Sequence, residues 1–213
     1  MVSIYFYIPN LIDYGRFLSL FIALYYHDKD PITFTIVYFI SFGLDLFDGM
    51  AARHFKQFSR IGAALDMIAD RLTTASLLII LGKLYPGYFV TFILLVLLDV
   101  GSHWLQVYSS LLEIAENKSI KNHKEIKEKF LILDIYYHNR FVLFNTCLFA
   151  ELFLLLTYLN YFYIDWISND LYKGFYFFCL AIYVFKQIAS VFQIFGASER
   201  VVDIDMKEKK LIK

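Results

Sequence analysis

Hydrophobic residues gather in six runs along the chain, at about residues 11–26, 31–54, 62–85, 87–112, 141–163 and 171–198. Each approaches the roughly 20 residues that a helix needs to cross about 30 Å of hydrocarbon. The pattern therefore predicts an all-α integral membrane protein with six transmembrane helices. No internal repeat or second-domain signal is visible, so residues 1–213 read as a single membrane domain with a polar tail at about 198–213.

The connections between the runs differ in charge. Arg53, Lys56 and Arg60 lie between the second and third, Lys118, Lys121, Lys124, Lys127 and Lys129 between the fourth and fifth, and Arg200, Lys207, Lys209, Lys210 and Lys213 after the sixth. The alternate connections carry mainly Lys29, Lys83 and Lys173. Basic loops stay in the cytosol, so this asymmetry predicts that both termini are cytosolic. Pro9-Asn10 breaks the apolar start, which lacks a basic leader and a small-residue cleavage site, and reads as an interfacial approach to the first span.

Composition agrees with the membrane setting. Of 213 residues, 59% are hydrophobic and 20% aromatic, and the mean hydropathy of +0.55 lies outside the range of a soluble domain. Lys plus Arg and Asp plus Glu number 20 each, so overall charge offers no basis for a nucleic-acid partner. Cys147 and Cys179 lie in apolar runs without a CxxC or His-rich context, and read as buried thiols rather than a zinc site or disulfide. The mixed charges of 113–129 read as a solvated cytosolic connection.

Within this apolar setting, DLFDGMAARHFKQFSRIGAALDMIAD, residues 45–70, places four carboxylates at helical spacing. Asp45 and Asp48 are three apart and Asp66 and Asp70 four apart, so each pair shares a helix face. A charged residue at the centre of a membrane helix costs about 2.5 to 3.5 kcal/mol on insertion scales, which makes function the default explanation. Carboxylates without His or Cys select hard cations such as Mg²⁺ or Mn²⁺, which in turn bind phosphate oxygens. Gly49 and Ala52 continue the first stripe and Gly62 precedes the second, leaving room for a bulky group. Arg53 stands one turn beyond, able to neutralise a phosphate or pair with a neighbouring Asp. Helix-packing glycines with structural ion pairs would leave four Asp residues without partners.

The pattern Asp45-xx-Asp48-Gly49-xx-Ala52-Arg53, eight residues, Gly62-xxx-Asp66-xxx-Asp70 resembles in full the signature of the CDP-alcohol phosphatidyltransferase family. The likeness extends to IPNLIDYGR near the start, LDVGSHWLQVYSS in the fourth run, IYYHNRFVLF entering the fifth and FKQIASV in the sixth, and is to members with inositol as acceptor. Bacterial relatives often carry Thr at the position of Asp13. The resemblance implies a six-helix homodimer of the endoplasmic reticulum membrane, surrounded by lipid, with its active site between the second and third helices and open to the cytosol. It implies transfer of the phosphatidyl group from CDP-diacylglycerol to myo-inositol with release of CMP. Two divalent ions would lie on Asp45, Asp48, Asp66 and Asp70, with Asp70 also the general base. Gly49, Ala52, Gly62 and Arg53 would bind CDP-diacylglycerol.

For the acceptor, Asp99, Ser102, His103 and Gln106 fall in the cytosolic half of the fourth run. Arg140 opens the fifth, with Glu151 about 16 Å further in by helix rise, and Lys186 with Gln187 lies in the sixth. His103, Arg140, Glu151 and Lys186 are candidates to orient a polyol. His103 could equally be a packing residue, and Glu151 with Lys186 an intramembrane ion pair. Synthesis of phosphatidylglycerophosphate or phosphatidylserine is the alternative within the family. A membrane prenyltransferase would use differently spaced Asp motifs without the Gly49 to Arg53 segment, and a transporter would favour broken helices and repeated halves.

Overall fold

A computed structural model describes residues 3–116, 133, 139–163 and 169–211. Among them the long elements are helices: α1 (Ile8–Tyr26), α2 (Pro31–His54), α3 (Arg60–Leu84), α4 (Phe89–Glu116), α5 (Arg140–Phe162) and α6 (Asp170–Leu211). Short 3₁₀ turns at Ile4–Phe6 and Pro86–Tyr88 lead into α1 and α4. Lys118, Lys121, Lys124, Lys127, Lys129 and Lys213 lie outside the described residues.

Local chemistry sets the helix starts. Asp30 caps α2 by accepting from the backbone N–H of Ile32 and Thr33 at 3.1 and 3.3 Å, and Pro31 follows where no donor is needed. Ser59 caps α3 through Gly62 N–H at 2.9 Å. Asn139 and Asn169 do the same for α5 and α6. Between α2 and α3, Lys56 adopts φ 53°, and Gln57 N–H reaches back to the Ala52 carbonyl at 3.0 Å. This left-handed stop satisfies the last carbonyls of α2 and reverses the chain within five residues, 55–59.

Among the described residues, four helical stretches are long and apolar enough to cross a membrane, namely Pro31–His54, Pro86–Ala115, Phe141–Phe162 and Asp170–Lys207, so the chain is a multi-pass membrane protein. The expectation of six spans meets a limit in α1 and α3. Asp13 and Arg16 interrupt α1, and Asp66, Asp70 and Arg71 interrupt α3. α6 continues as helix through the polar tail to Leu211, 42 residues or about 63 Å.

The chain divides into two compact units, one holding α1, α2 and α3 with Tyr161–Tyr163, the other α4, α5 as far as Asn160, and α6. In the first, α1 packs against α2 and α3. Its buried face runs Asn10, Asp13, Arg16, Leu20, Ala23, a three-four spacing that places polar groups at one end and apolar groups at the other. Phe34 and Tyr38 of α2 and Leu77, Leu78 and Leu81 of α3 are buried in the apolar core, and the Tyr38 hydroxyl donates to the Thr73 carbonyl at 3.2 Å. In the second unit, Phe149 and Phe153 of α5 pack on Phe175, Phe178, Tyr176 and Tyr183 of α6.

Candidate metal centre

The polar end of the first unit brings Asp45 and Asp48 from α2 and Asp66 and Asp70 from α3 to one place, as their spacing suggested. It also brings Asp13 and Arg16 from α1, which the sequence reading left without roles. The Arg16 guanidinium, only 3% exposed, inserts among all five carboxylates. Nη1 lies 3.4 Å from Asp13, 3.2 Å from Asp48 and 2.8 Å from Asp66. Nη2 lies 2.9 Å from Asp45 and also pairs with Asp70. Arg71 approaches the other oxygen of Asp70 at 3.5 Å. The Ser41 hydroxyl donates to the Arg16 carbonyl at 3.0 Å, fixing the α1 backbone against α2.

Among the described residues, two overlapping sets of carboxylate oxygens are close enough to hold a metal ion. Asp13, Asp48 and Asp66 form one; Asp45, Asp66 and Asp70 form the other, with the ligand atoms of each within 4.8 Å of one another. Arg16 tests whether a cation fits. Its guanidinium is a cation already seated on these oxygens, and carboxylates without nitrogen or sulfur donors suit a hard divalent ion. Asp13 and Asp48 are buried, whereas Asp45, Asp66 and Asp70 are partly exposed, so the second set is the more open.

The remaining motif residues surround this cluster unevenly. Arg53 is exposed, and its Nη1 would stand 3.4 Å from a Cβ placed on Gly49. Gly62 is closed in: a Cβ there would meet Asn10 Oδ1 at 2.6 Å and Ser59 Oγ at 2.9 Å. Its small size therefore lets α1 approach α3. Asn10 is fully buried, and its amide donates to the Ile4 carbonyl at 2.7 Å. Gln57 Oε1 accepts from the N–H of Ile8 at 2.8 Å, tying the α2–α3 turn to the start of α1.

Of the acceptor candidates, His103, Glu151 and Lys186 belong to the second unit. Lys186 Nζ lies 3.7 Å from Asp99 Oδ1, both nearly fully buried, and Glu151 is buried as well. His103 Nδ1 lies 2.8 Å from the Asp99 carbonyl and 3.3 Å from Ser102 Oγ. Arg200 donates to Gln106 and to Ser109, anchoring the polar end of α6 to α4. Arg140 opens α5, and its side chain lies outside the described residues.

A signal for the missed pair was present: Asp13 and Arg16 stand at i,i+3 within an apolar run, the setting in which charge marks function. Spacing could pair them only with each other. Their shared approach to α2 and α3 is tertiary information.

Comparison with known proteins covers far more than this cluster. The pattern of CDP-alcohol phosphatidyltransferases matches residues 6–194. The chain is 43% identical to the CDP-diacylglycerol–inositol 3-phosphatidyltransferase of Candida albicans over 92% of its own length and 82% of that protein. It is 42% identical to the human protein of the same name over 75% and 73% of the two chains, and 37% identical to the Saccharomyces cerevisiae protein over 94% and 88%. No solved structure matches the chain. Because the family match reaches into all six helices rather than the acidic motif alone, the chain belongs to the CDP-alcohol phosphatidyltransferase family.

Proposed function

We propose that the chain transfers the phosphatidyl group of CDP-diacylglycerol to myo-inositol, giving phosphatidylinositol and CMP. The observation that carries this reading is the convergence of carboxylates from α1, α2 and α3 on one cation position. Relatives named for that reaction, 37% to 43% identical over nearly the whole chain, support the choice of substrates.

Asp45, Asp48, Asp66 and Asp70 would hold the divalent ions, two of Mg²⁺ or Mn²⁺. Bound there, such ions would stabilise the charge that develops on the pyrophosphate oxygens and the leaving CMP. Asp70 accepts the proton of the inositol hydroxyl as its oxygen attacks the phosphorus bearing the diacylglycerol, and the bond from that phosphorus to the bridging oxygen of CMP breaks. Gly49 and Ala52 keep side-chain bulk out of the donor's path, Gly62 acts indirectly by letting α1 close on α3, and the exposed Arg53 neutralises the donor's phosphates. A base beside the cation position, without an activated Ser or Cys, favours sequential kinetics over a covalent intermediate.

His103, Arg140, Glu151 and Lys186 orient the acceptor. Two cations offset by a carboxylate suit an uncharged polyol better than a second phosphate, which needs several cations on leaving water. The chain acts as a single six-span membrane domain in the endoplasmic reticulum, homodimeric, with both termini cytosolic and the acidic cluster between the second and third helices open to the cytosol. The basic connections support that orientation. The test is CMP release by purified protein given CDP-diacylglycerol with myo-inositol, inositol phosphate, glycerol 3-phosphate and serine at equal concentration. Inositol should dominate; preference for a phosphorylated alcohol or serine would reassign the acceptor.

A further inference from the structure

Arg16 poses a problem that the proposed chemistry does not use. Its guanidinium cannot lose its proton under ordinary conditions, and it lies deep among the oxygens that a divalent ion would take. The division of its contacts is specific. Nη1 serves Asp13, Asp48 and Asp66, the members of one candidate metal set, while Nη2 serves Asp45 and Asp70 of the other, with Asp66 common to both sets. One planar side chain thus covers both positions.

The rest of Arg16 holds the guanidinium only weakly in place. Nε is buried without a hydrogen-bond partner among the described residues, so the side chain is anchored through its two Nη groups to the carboxylates alone. The Ser41 contact secures its backbone carbonyl and leaves the side chain free of that restraint. A divalent ion offers the same oxygens a higher charge density than a guanidinium. Five carboxylates gathered without any cation would repel one another strongly in a site of low dielectric.

We infer that Arg16 is a built-in counter-cation of the carboxylate cluster, and that divalent ions bind in competition with its guanidinium for the same oxygens. Arg16 therefore keeps the five carboxylates assembled and weakens metal binding at the same time. Withdrawal of the guanidinium also releases Asp70 from one of its two cationic neighbours. The inference rests on the metal reading proposed above.

The test measures Mn²⁺ binding to the detergent-solubilised full chain by the electron paramagnetic resonance of free Mn²⁺, with thermal unfolding followed in chelator and in Mn²⁺. For Arg16→Gln, a lower melting temperature in chelator and Mn²⁺ affinity raised by about tenfold or more are expected, because the competing cation is gone. A variant that folds only with Mn²⁺ present would give the same support. Unchanged or weaker Mn²⁺ affinity in folded Arg16→Gln would overturn the competition. Should Arg16→Gln fail to fold under either condition, Arg16→Lys decides, since one ammonium cannot span both positions. Affinity above wild type supports competition, and affinity equal to or below wild type overturns it. Absence of Mn²⁺ binding by the wild type would overturn the metal reading itself, an outcome distinct from failure of the competition alone.

Discussion

Buried charge is arranged differently in the two units. In α4–α6, buried Asp99 lies beside buried Lys186, so that charge meets countercharge. In α1–α3, five carboxylates crowd one inserted guanidinium, with Arg71 beside Asp70. A matched pair can be explained by packing alone. An excess of carboxylates over cations cannot, because like charges held this close repel and stay together only where something else is bound or done.

The largest expected effect breaks the first unit's excess. Asp48→Asn should lower inositol-dependent CMP release by ~100-fold or more while leaving the melting temperature within a few degrees, because Asn retains the shape and an acceptor oxygen. Chelation should silence the wild type in the same way, and added Mg²⁺ or Mn²⁺ should restore it. Retained turnover in chelator would remove the distinction between the units.

The second unit should respond in the opposite sense. Lys186→Met leaves Asp99 without this partner in a buried site and should destabilise the protein by about 3 kcal/mol, read from unfolding in detergent. Adding Asp99→Asn should recover much of that loss. With Lys186 placed at the acceptor, the KM for inositol should rise as well; an unchanged KM would confine Lys186 to its pair with Asp99.

Two glycines of the same motif separate structure from substrate. Gly62→Ala forces a methyl group against Asn10 and the capping Ser59 and should cost about 1 to 3 kcal/mol in stability. Gly49→Ala meets only the flexible end of Arg53, so stability should hold and any loss should fall on the KM for CDP-diacylglycerol. Equal melting temperatures for the two variants would contradict the packing role of Gly62.

The smallest effect lies at the start of α2. Hydrogen bonds from the Thr33 hydroxyl and backbone hold the exposed Asp30 carboxyl below its usual range. A depressed folded-state value contributes stability above the unfolded value near about 3.9, and that contribution is lost as pH falls through the lower folded value. Asp30→Asn should therefore cost a slight amount of stability at neutral pH and flatten the loss of stability in acid.

Helix positions were legible because the apolar run lengths and the basic connections mark nearly the same boundaries. The end of α6 was not, since residues 199–211 carry the polarity of a solvated tail, whereas the contact of Arg200 with Gln106 and Ser109 is tertiary. The four motif carboxylates were legible as two helix-face pairs. Asp13 and Arg16 were visible as charges in an apolar run, but their meeting with α2 and α3 depends on the packing of α1. Gly62 illustrates the same limit: its spacing suggests room for a nucleotide, while the space beside it is filled by Asn10.

The most direct measurement compares Asp66→Asn with wild type in inositol-dependent CMP release from CDP-diacylglycerol, at saturating Mg²⁺ and at saturating Mn²⁺, alongside the melting temperature of each. Asp66 belongs to both candidate metal sets, so a folded Asp66→Asn protein without turnover in either metal is the expected result. Near-wild-type turnover by that folded protein would contradict the assignment of the α1–α3 carboxylates as the metal-dependent transfer site.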